Sequence, residues 1–582
     1  MIYSLLYRHA AVTGAVVVLS LASARAAQAP SQDDLFRDNP AGNYLAARHA
    51  GEERDAGAAA RYYLNVLKTD PRNPDLLSRA FLSVLSDGDV DQAAKLADKV
   101  LAVDPEDRVA RLVLGVRALK QKQYSLARQD FSQSVHGPVT DLTAALLAAW
   151  AVAGSGDTRK AVDELDRLSG PDWYGVFKDL HAGLMLDLAN RRKEAGKRYE
   201  NAYKVDPTAL RGVQAYGRYL SRTSGKDAAL KIYSEFNKAL PDHPLIKQEI
   251  KEVSDGQRLP PLVDSPQAGA AEALYGIGAS IGRRGGEDLA LVYLQLALYL
   301  QPSQGMTVLS LADLYESLKK PELAIGIYDR IPQASPLYRN AQIQVAMDLD
   351  AIDKTADATK RLEHVIAEHP KDTEALMALG NVQRGRKEFS TCGNTYSRAI
   401  DTVAKPDKSN WVVFYFRGIC YERSDQWPKA EADMKKALAL FPDQPLVLNY
   451  LGYSWVDKGV HLDEGMDMIR RAVEQRPDDG YIVDSLGWAY YRTGNNAEAV
   501  KNLERAVQLK PDDPTINDHL GDAYWQVGRK LEAHFQWAQA KDFKPEPDEL
   551  AKLDQKLKNG LPLSEPSPSA NAKTKKTTGN GG

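Results

Sequence analysis

The stretch from residue 484 to residue 511 decides the fold: DSLGWAYYRTGNNAEAVKNLERAVQLKP. Its apolar residues recur at helical spacing on both sides of the polar turn RTGNN, which predicts two helices joined by a tight turn. Gly487 in the first helix and Ala499 in the second are small enough to let the two helix axes approach closely. Pro511 cannot continue a helix, so it ends the second one. The stretch therefore predicts an antiparallel pair of helices.

The same pattern recurs along most of the chain. A small residue returns at intervals of 34 residues up to Ala229 and again from Ala290 onward, with small insertions before Ala430 and Gly465. These positions are Ala59, Ala93, Ala127, Ala161, Ala195, Ala229, Ala290, Ala324, Ala358, Cys392, Ala430, Gly465, Ala499 and Ala533. Several prolines between the pairs keep the same interval. Such a period indicates stacked helix pairs that bury one continuous core.

These positions resemble the tetratricopeptide-repeat (TPR) family. The matching residues of one unit are Leu486, Gly487, Tyr490, Ala499, Leu503, Ala506 and Pro511. We count about fourteen such units, six over residues 41–241 and eight over residues 271–545. The resemblance implies an all-α fold, an α-solenoid of helix-turn-helix repeats in two arrays. The C-terminal block also resembles exported TPR proteins of proteobacteria, whose molecular role is generally poorly defined.

The N-terminus has the pattern of a targeting segment. Arg8 precedes an apolar run of 13 residues at 10–22, followed by small residues. That length suits a signal peptide and is too short to span a bilayer comfortably. We expect residues 1–26 to be a signal peptide and residues 27–40 an exported N-terminal segment, with an uncleaved membrane anchor as the alternative. The sequence has no cysteine near the cleavage region to carry a lipid, and we expect a periplasmic location.

Three further segments depart from the repeat. Residues 242–270 contain Pro260 and Pro261 and are predicted to be a connector that follows a short helix. That connector either lets the two arrays vary in angle or packs down between them. Residues 546–561 are predicted to form a charged capping helix. Residues 562–582 are too polar to fold and are predicted to be a disordered tail.

The composition and motifs argue against catalysis. The net charge of −3 supplies no basic field for nucleic acid. The ten histidines show no metal-ligand spacing, so we expect no metal and no cofactor. Residues 278–282 spell G-x-S-x-G, a nucleophile-elbow pattern, but the repeat places Ser280 in the middle of a helix. We therefore expect a protein without enzymatic activity and without catalytic residues.

The only two cysteines lie on helices that should pack together. Cys392 occupies the small position of a second helix, and Cys420 lies on the first helix of the next unit. In an oxidising periplasm a disulfide could join the two units. Two buried free thiols are the favoured alternative, because neighbouring helices often miss the Cα separation of about 4.4–6.8 Å that a disulfide needs.

The TPR resemblance implies that partners bind in a concave groove lined by the first helices. Carried over position by position, this groove comprises Asn449, Tyr453, Asp484, Trp488, Tyr491, Arg492, Asp518, Asp522 and Trp525. Aromatic anchors flanked by polar groups suit peptide recognition, and the acidic groups favour an apolar and basic ligand. Packing of the aromatic residues within or between repeats is the alternative.

The sequence leads to two hypotheses about function. The first is an adaptor that binds peptide segments or helices of envelope proteins during envelope assembly, secretion or cell-wall synthesis. The second is a chaperone-like binder of unfolded exported proteins, which would use the same groove less selectively. The sequence does not identify the partner or the oligomeric state.

Overall fold

The computed structural model describes residues 39–134 and 137–561. The predicted signal peptide, the disordered tail and nearly all of the segment 27–40 lie outside those residues. The described residues form thirty α-helices and one short 3₁₀ turn, Lys408–Asn410, with no strand among them. The prediction of an all-α fold of fourteen helix pairs is confirmed.

Each pair consists of a first and a second helix in chain order. The first six pairs are Pro40–Glu52 with Ala56–Leu67, Pro74–Asp87 with Val90–Val103, Arg108–Lys120 with Tyr124–Ser132, Pro138–Gly154 with Thr158–Arg167, Tyr174–Leu188 with Arg192–Val205, and Leu210–Thr223 with Lys226–Ala239. The other eight are Pro266–Gly282 with Glu287–Leu300, Gly305–Ser317 with Pro321–Tyr328, Tyr338–Ala351 with Thr355–Glu368, Thr373–Gly385 with Phe389–Asp401, Trp411–Arg423 with Trp427–Leu440, Pro445–Asp457 with Leu462–Gln475, Gly480–Arg492 with Asn496–Leu509, and Pro514–Gln526 with Lys530–Asp542. Two single helices, Pro244–Ser254 and Pro547–Asn559, follow the sixth and the fourteenth pair.

The helix ends follow from local residue chemistry. The side chain of Asp513 accepts a hydrogen bond from the backbone N–H of Ile516 at 3.0 Å and so caps the first helix of the last pair. Pro514 occupies the first position of that helix, where its missing N–H costs nothing. Gly528 supplies the left-handed backbone of the turn that follows, with φ of 84°.

The glycines of the first helices are covered by a large residue of the second helix. A Cβ added to Gly487 would lie 2.6 Å from Leu503 Cγ, and one added to Gly521 would lie 2.4 Å from Trp537 Cδ1. Each covering residue stands sixteen positions after its glycine. The same arrangement recurs in Gly115 with Phe131, Gly183 with Tyr199, Gly217 with Tyr233, Gly380 with Tyr396, and Gly418 with Met434. A glycine at this position thus makes room for the core side chain of its own pair.

The chain divides into two compact units, Met1–Leu314 and Tyr315–Gly582. This division differs from the predicted boundary at residues 242–270, because the pair after the connector packs in the first unit. Its helix Pro266–Gly282 contacts Pro138–Gly154, and its helix Glu287–Leu300 contacts Pro74–Asp87. A helix that is apolar on every side has to be buried on every side.

Specific contacts hold that helix pair on the first helices of the first array. The guanidinium of Arg211 binds both oxygens of Glu272, with Nε–Oε1 at 2.7 Å and Nη2–Oε2 at 2.6 Å. Gly269 lies under the Trp150 ring, where an added Cβ would meet the ring at 2.2 Å. Gln267 Nε2 donates to the carbonyl of Leu119 at 2.9 Å.

The connector itself packs down within the first unit. Leu259 and Val263 are 3% and 4% exposed. The backbone N–H of Leu259 donates to Ser221 Oγ at 3.1 Å. Of the two alternatives for the connector, the structure shows the packed one.

Candidate partner-binding surface

The nine predicted groove residues lie on the first helices of the last three pairs. Helix Gly480–Arg492 packs directly against Pro445–Asp457 on one side and Pro514–Gln526 on the other. The Tyr415 ring in Trp411–Arg423 contacts the Tyr450 ring with their centroids 5.9 Å apart, which adds the preceding first helix. We call the surface of these four helices the first-helix face.

Trp488 lies at the centre of an aromatic stack on this face. Its ring is stacked on Tyr491 with centroids 4.8 Å apart and on His519 with centroids 4.0 Å apart, both at interplanar angles of 18°. Trp488 remains partly exposed. Its Nε1 atom is buried without a hydrogen-bond partner among the described residues. The predicted groove position thus combines an aromatic surface with a free donor.

Asn449 supplies the complementary group one pair earlier. Its Oδ1 atom is buried and has no hydrogen-bond partner in the described part of the chain. A buried acceptor without a partner costs about 1–3 kcal/mol, so such atoms mark places where a ligand or water is expected.

Asp484 has its partner within the protein. Its two carboxylate oxygens lie 2.9 and 3.0 Å from His519 Nδ1, and both residues are more than 90% buried. Burial lowers the pKa of His519, but the charge and hydrogen bond of Asp484 together with the charges of Asp518 and Asp522 outweigh it and raise the pKa above its usual value. Asp484 is therefore out of reach of a ligand and holds His519 against Trp488, which corrects its predicted role in direct contact.

The C-terminal helix covers three more of the predicted residues. Lys556 Nζ lies 2.7 Å from Asp518 Oδ1 and 2.8 Å from Asp522 Oδ2. Trp525 Nε1 donates to the carbonyl oxygen of Leu561. The prediction that these side chains are open to a partner is thus corrected: residues 547–561 occupy that end of the face.

Tyr453 and Arg492 lie at the border of the part of the first-helix face that residues 547–561 do not cover. Tyr453 is partly buried beside the apolar cluster that contains Val456 and Leu486. Arg492 is exposed and donates to Asp457, to Oδ1 at 2.6 Å and to the backbone carbonyl at 2.9 Å. The residues of the predicted set that a ligand can reach are therefore Asn449, Tyr453, Trp488, Tyr491 and Arg492.

Sequence reasoning missed the aromatic residues that extend this face towards the N-terminus. Tyr415 and Phe416 hold the repeat positions of Asn449 and Tyr450, so the 34-residue interval could have identified them. The Arg384 guanidinium lies 4.7 Å above the Phe416 ring, and its Nε is buried without a hydrogen-bond partner among the described residues. Arginine on an aromatic ring adds a cation–π contact to the surface.

Cys392 and Cys420 form a disulfide, with their Cα atoms 6.2 Å apart. Both side chains are fully buried. The bond joins helix Phe389–Asp401 to helix Trp411–Arg423 of the next pair. The favoured interpretation of two free thiols does not describe this structure, because here the neighbouring helices bring the two Cα atoms within bonding reach.

The motifs considered for catalysis have structural explanations. Ser280 lies inside helix Pro266–Gly282, whereas a nucleophile elbow needs a sharp turn after a strand. Residues 39–134 and 137–561 contain no cluster of three or more His, Cys, Asp or Glu side chains that could hold a metal ion. Over the same ranges, no helix is both long and apolar enough to cross a membrane.

Comparison with known proteins agrees with the helix-pair architecture. A family model described as tetratricopeptide repeat matches residues 78–137, and one described as TPR repeat matches residues 487–528. The chain is similar to a chain of the APC/C hetero-tetramer Cut9-Hcn1 at 14% identity, covering 91% of this chain and 99% of that one with a TM-score of 0.38. It is also similar to a tetratricopeptide repeat protein from Parabacteroides merdae, at 16% identity over 50% and 97% of the two chains, with a TM-score of 0.33.

Two curated relatives match about a third of the chain. A TPR repeat-containing protein of Pseudomonas aeruginosa is 27% identical over 199 residues, which are 33% of this chain and 32% of that protein. The human protein O-mannosyl-transferase TMTC1 is 22% identical over 188 residues, 32% of this chain and 21% of that protein. The matched segments thus span a third or less of either relative. The two family matches thus identify tetratricopeptide repeats at residues 78–137 and 487–528, and the Pseudomonas relative and the fourteen helix pairs agree with that repeat.

Proposed function

We propose that the chain is a non-catalytic scaffold whose first-helix face binds segments of partner proteins. A TPR fold supports protein–protein interaction in general. The observation that carries the more specific proposal is a pair of buried polar atoms on neighbouring first helices, the donor Trp488 Nε1 and the acceptor Asn449 Oδ1, which have no hydrogen-bond partner among the described residues.

A polypeptide backbone has the acceptor and the donor that these two atoms need as hydrogen-bond partners. Its carbonyl accepts from the Trp488 indole and its N–H donates to the Asn449 amide, and this does not depend on the partner's side chains. The aromatic rings of Tyr453, Trp488 and Tyr491 then offer apolar surface for the side chains between those two anchors. Each hydrogen bond so formed relieves a cost of about 1–3 kcal/mol.

We further propose that the protein acts in the bacterial periplasm as an adaptor for envelope assembly, secretion or cell-wall synthesis complexes. The apolar run after Arg8 supports export. A disulfide between Cys392 and Cys420 is consistent with an oxidising compartment.

In-cell photocrosslinking tests this proposal. A photoreactive phenylalanine replaces Tyr453 on the first-helix face. As a matched control it replaces Phe535, which is 60% exposed on the second helix of the last pair. Crosslinks from position 453 to one or two defined envelope proteins, absent from position 535, are the expected result.

Other outcomes count against the proposal. Crosslinks from position 453 to many unrelated exported chains would favour the chaperone-like binder in place of the adaptor. Equal labelling from both positions would contradict a role for the first-helix face.

A further inference from the structure

Lys556 of the C-terminal helix Pro547–Asn559 binds two carboxylates of the first-helix face. The ammonium group of Lys556 lies within 2.8 Å of both oxygens of Asp518 and of Asp522 Oδ2. Its side chain is only 15% exposed although lysine is usually solvated. The two carboxylates therefore act as a binding site for an ammonium group.

A core residue of the last repeat holds one carboxylate of the pair in place. Trp537, which is fully buried, donates from Nε1 to Asp522 Oδ1 at 2.9 Å. Burial raises the pKa of the Asp522 carboxyl, and the charge of Asp518 raises it further. Two carboxylates held this close in a partly dry site favour a cation between them.

The position of this pair in the repeat connects it to the partner-binding surface. Asp518 and Asp522 stand where Asp484 and Trp488 stand one unit earlier, and Trp525 corresponds to Tyr491. The ammonium site is thus the next site along the same first-helix face.

The helix that fills the site has little apolar anchorage. Leu553 is its one buried residue. By contrast, the preceding helix Lys530–Asp542 buries Ala533, Trp537 and Ala540 completely. Leu557 and Leu561 are only partly buried where they pack against the same apolar cluster. Polar contacts of Lys556, Asp554 and Glu546 and the Trp525 contact with Gly560 and Leu561 supply the rest of the attachment. Undocking it exposes the carboxylates, Trp525 and the part of the apolar cluster that Leu553 covers.

We propose that Asp518, Asp522 and Trp525 form a subsite for a lysine-bearing amphipathic helix of a partner protein, and that residues 546–561 fill it until the partner displaces them. This inference rests on the proposed function, because it extends the same binding surface by one repeat. It adds two points. The partner helix carries a lysine beside leucines at helical spacing, and it competes with the chain's own C-terminal helix for the subsite.

A peptide added in trans tests the subsite. The probe is a labelled synthetic peptide of residues 546–561, titrated into the full-length chain and into its Leu553→Ala/Lys556→Ala variant, whose own helix is weakened. We expect the variant to bind the peptide at least tenfold more tightly than the unmodified chain. A peptide carrying Lys556→Gln, or a chain that also carries Asp518→Asn, should lose at least tenfold of that affinity.

Three results would overturn the inference. The first is no gain in affinity for the weakened variant, and the second is equal binding of the lysine and glutamine peptides. The third is dimerisation of the weakened variant that the peptide abolishes, since the occupant would then be a second copy of the chain. Loss of the position-453 crosslinks with peptide binding intact would count against the proposed function alone.

Hydrogen exchange on the unmodified chain provides a test that needs no variant. Local undocking predicts that the amides of Pro547–Asn559 exchange at least tenfold faster than those of Lys530–Asp542. Equal exchange rates in the two helices would mean that the C-terminal helix opens only with the repeat core, which contradicts a displaceable occupant.

Discussion

Gly487 determines how closely the two helices of its pair approach, because a Cβ at this position would lie 2.6 Å from Leu503 Cγ. We predict that Gly487→Ala lowers the free energy of unfolding by about 1–3 kcal/mol through overpacking. Gly326 is the matched control, since it is a helical glycine with no atom within 4 Å of an added Cβ. Gly326→Ala should raise stability by about 0.5–1 kcal/mol. Urea denaturation measures both, and a change of the same sign in the two variants would contradict the packing argument.

The His519–Asp484 pair makes part of the stability dependent on pH. The folded-state pKa of His519 is raised above 6.5. A raised pKa contributes stability that is fully present below the unfolded value of about 6.5 and is lost as the pH rises through the folded value. We predict that the stability difference between the unmodified chain and Asp484→Asn shrinks as the pH rises through that window.

NMR titration of the His519 ring checks the cause directly. In the Asp484→Asn variant, burial is opposed only by the charges of Asp518 and Asp522, so the pKa of His519 should fall below its value in the unmodified chain. An unchanged pKa in that variant would show that the carboxylate does not hold the proton on the ring.

At the residue scale, the repeat interval predicts which positions are small and which lie on the first-helix face. It does not predict which polar groups pair with one another. Asp484 is satisfied by His519 of the next repeat and Asp518 by Lys556 of the C-terminal helix. These partners depend on side-chain directions across repeats, which a repeat position alone does not specify.

At the scale of elements, the Cys392–Cys420 disulfide joins two neighbouring pairs across 28 residues of sequence. We predict that Cys392→Ala/Cys420→Ala lowers the unfolding free energy by about 2–4 kcal/mol, because the unfolded chain gains the entropy of an open loop. Alanine fits at position 392, since it occupies the same position in most other repeats. The midpoint of denaturant unfolding should respond to reductant in the unmodified chain only; an equal response in the double variant would exclude this explanation.

The buried ion pair Arg211–Glu272 anchors the helix Pro266–Gly282 in the first unit. Glu272 is 2% exposed, so Glu272→Met leaves the Arg211 charge without its partner and should cost about 3–5 kcal/mol. Replacing both residues with Met should cost clearly less than Glu272→Met alone. Thermal unfolding measures the unmodified chain, Arg211→Met, Glu272→Met and the double variant, and a double variant as unstable as the sum of both single variants would contradict the interpretation as a coupled pair.

The same helix shows where prediction of the elements fell short. The periodicity correctly predicts that a repeat begins after the connector. It does not show that this pair packs against the first array, because the 34-residue interval describes neighbours along the chain only. The sequence AGAAEALYGIGASIG does contain a signal: it is apolar on every side and so needs more covering surface than one neighbouring helix provides.

On the scale of the whole molecule, helix pairing uses the interior for packing and leaves function to surfaces. The two units, Met1–Leu314 and Tyr315–Gly582, use their first helices differently. In the first unit the pair at residues 266–300 of the same chain covers first helices of the first array. In the second unit, Asn449 and Trp488 on the first-helix face have buried polar atoms without a hydrogen-bond partner among the described residues, and so does Arg384 on the first helix before that face. Partner binding at the first-helix face of the second unit is the assignment that the proposed function makes.

The most direct test of that assignment is the affinity of the protein segment crosslinked at position 453 for the unmodified chain and for Asn449→Leu/Trp488→Phe. These substitutions remove one acceptor and one donor while keeping the approximate shape of each side chain. Losing two hydrogen bonds worth about 1–1.5 kcal/mol each predicts a roughly 30- to 150-fold weaker affinity by calorimetry, with helicity unchanged. An affinity within twofold of the unmodified chain would contradict the account.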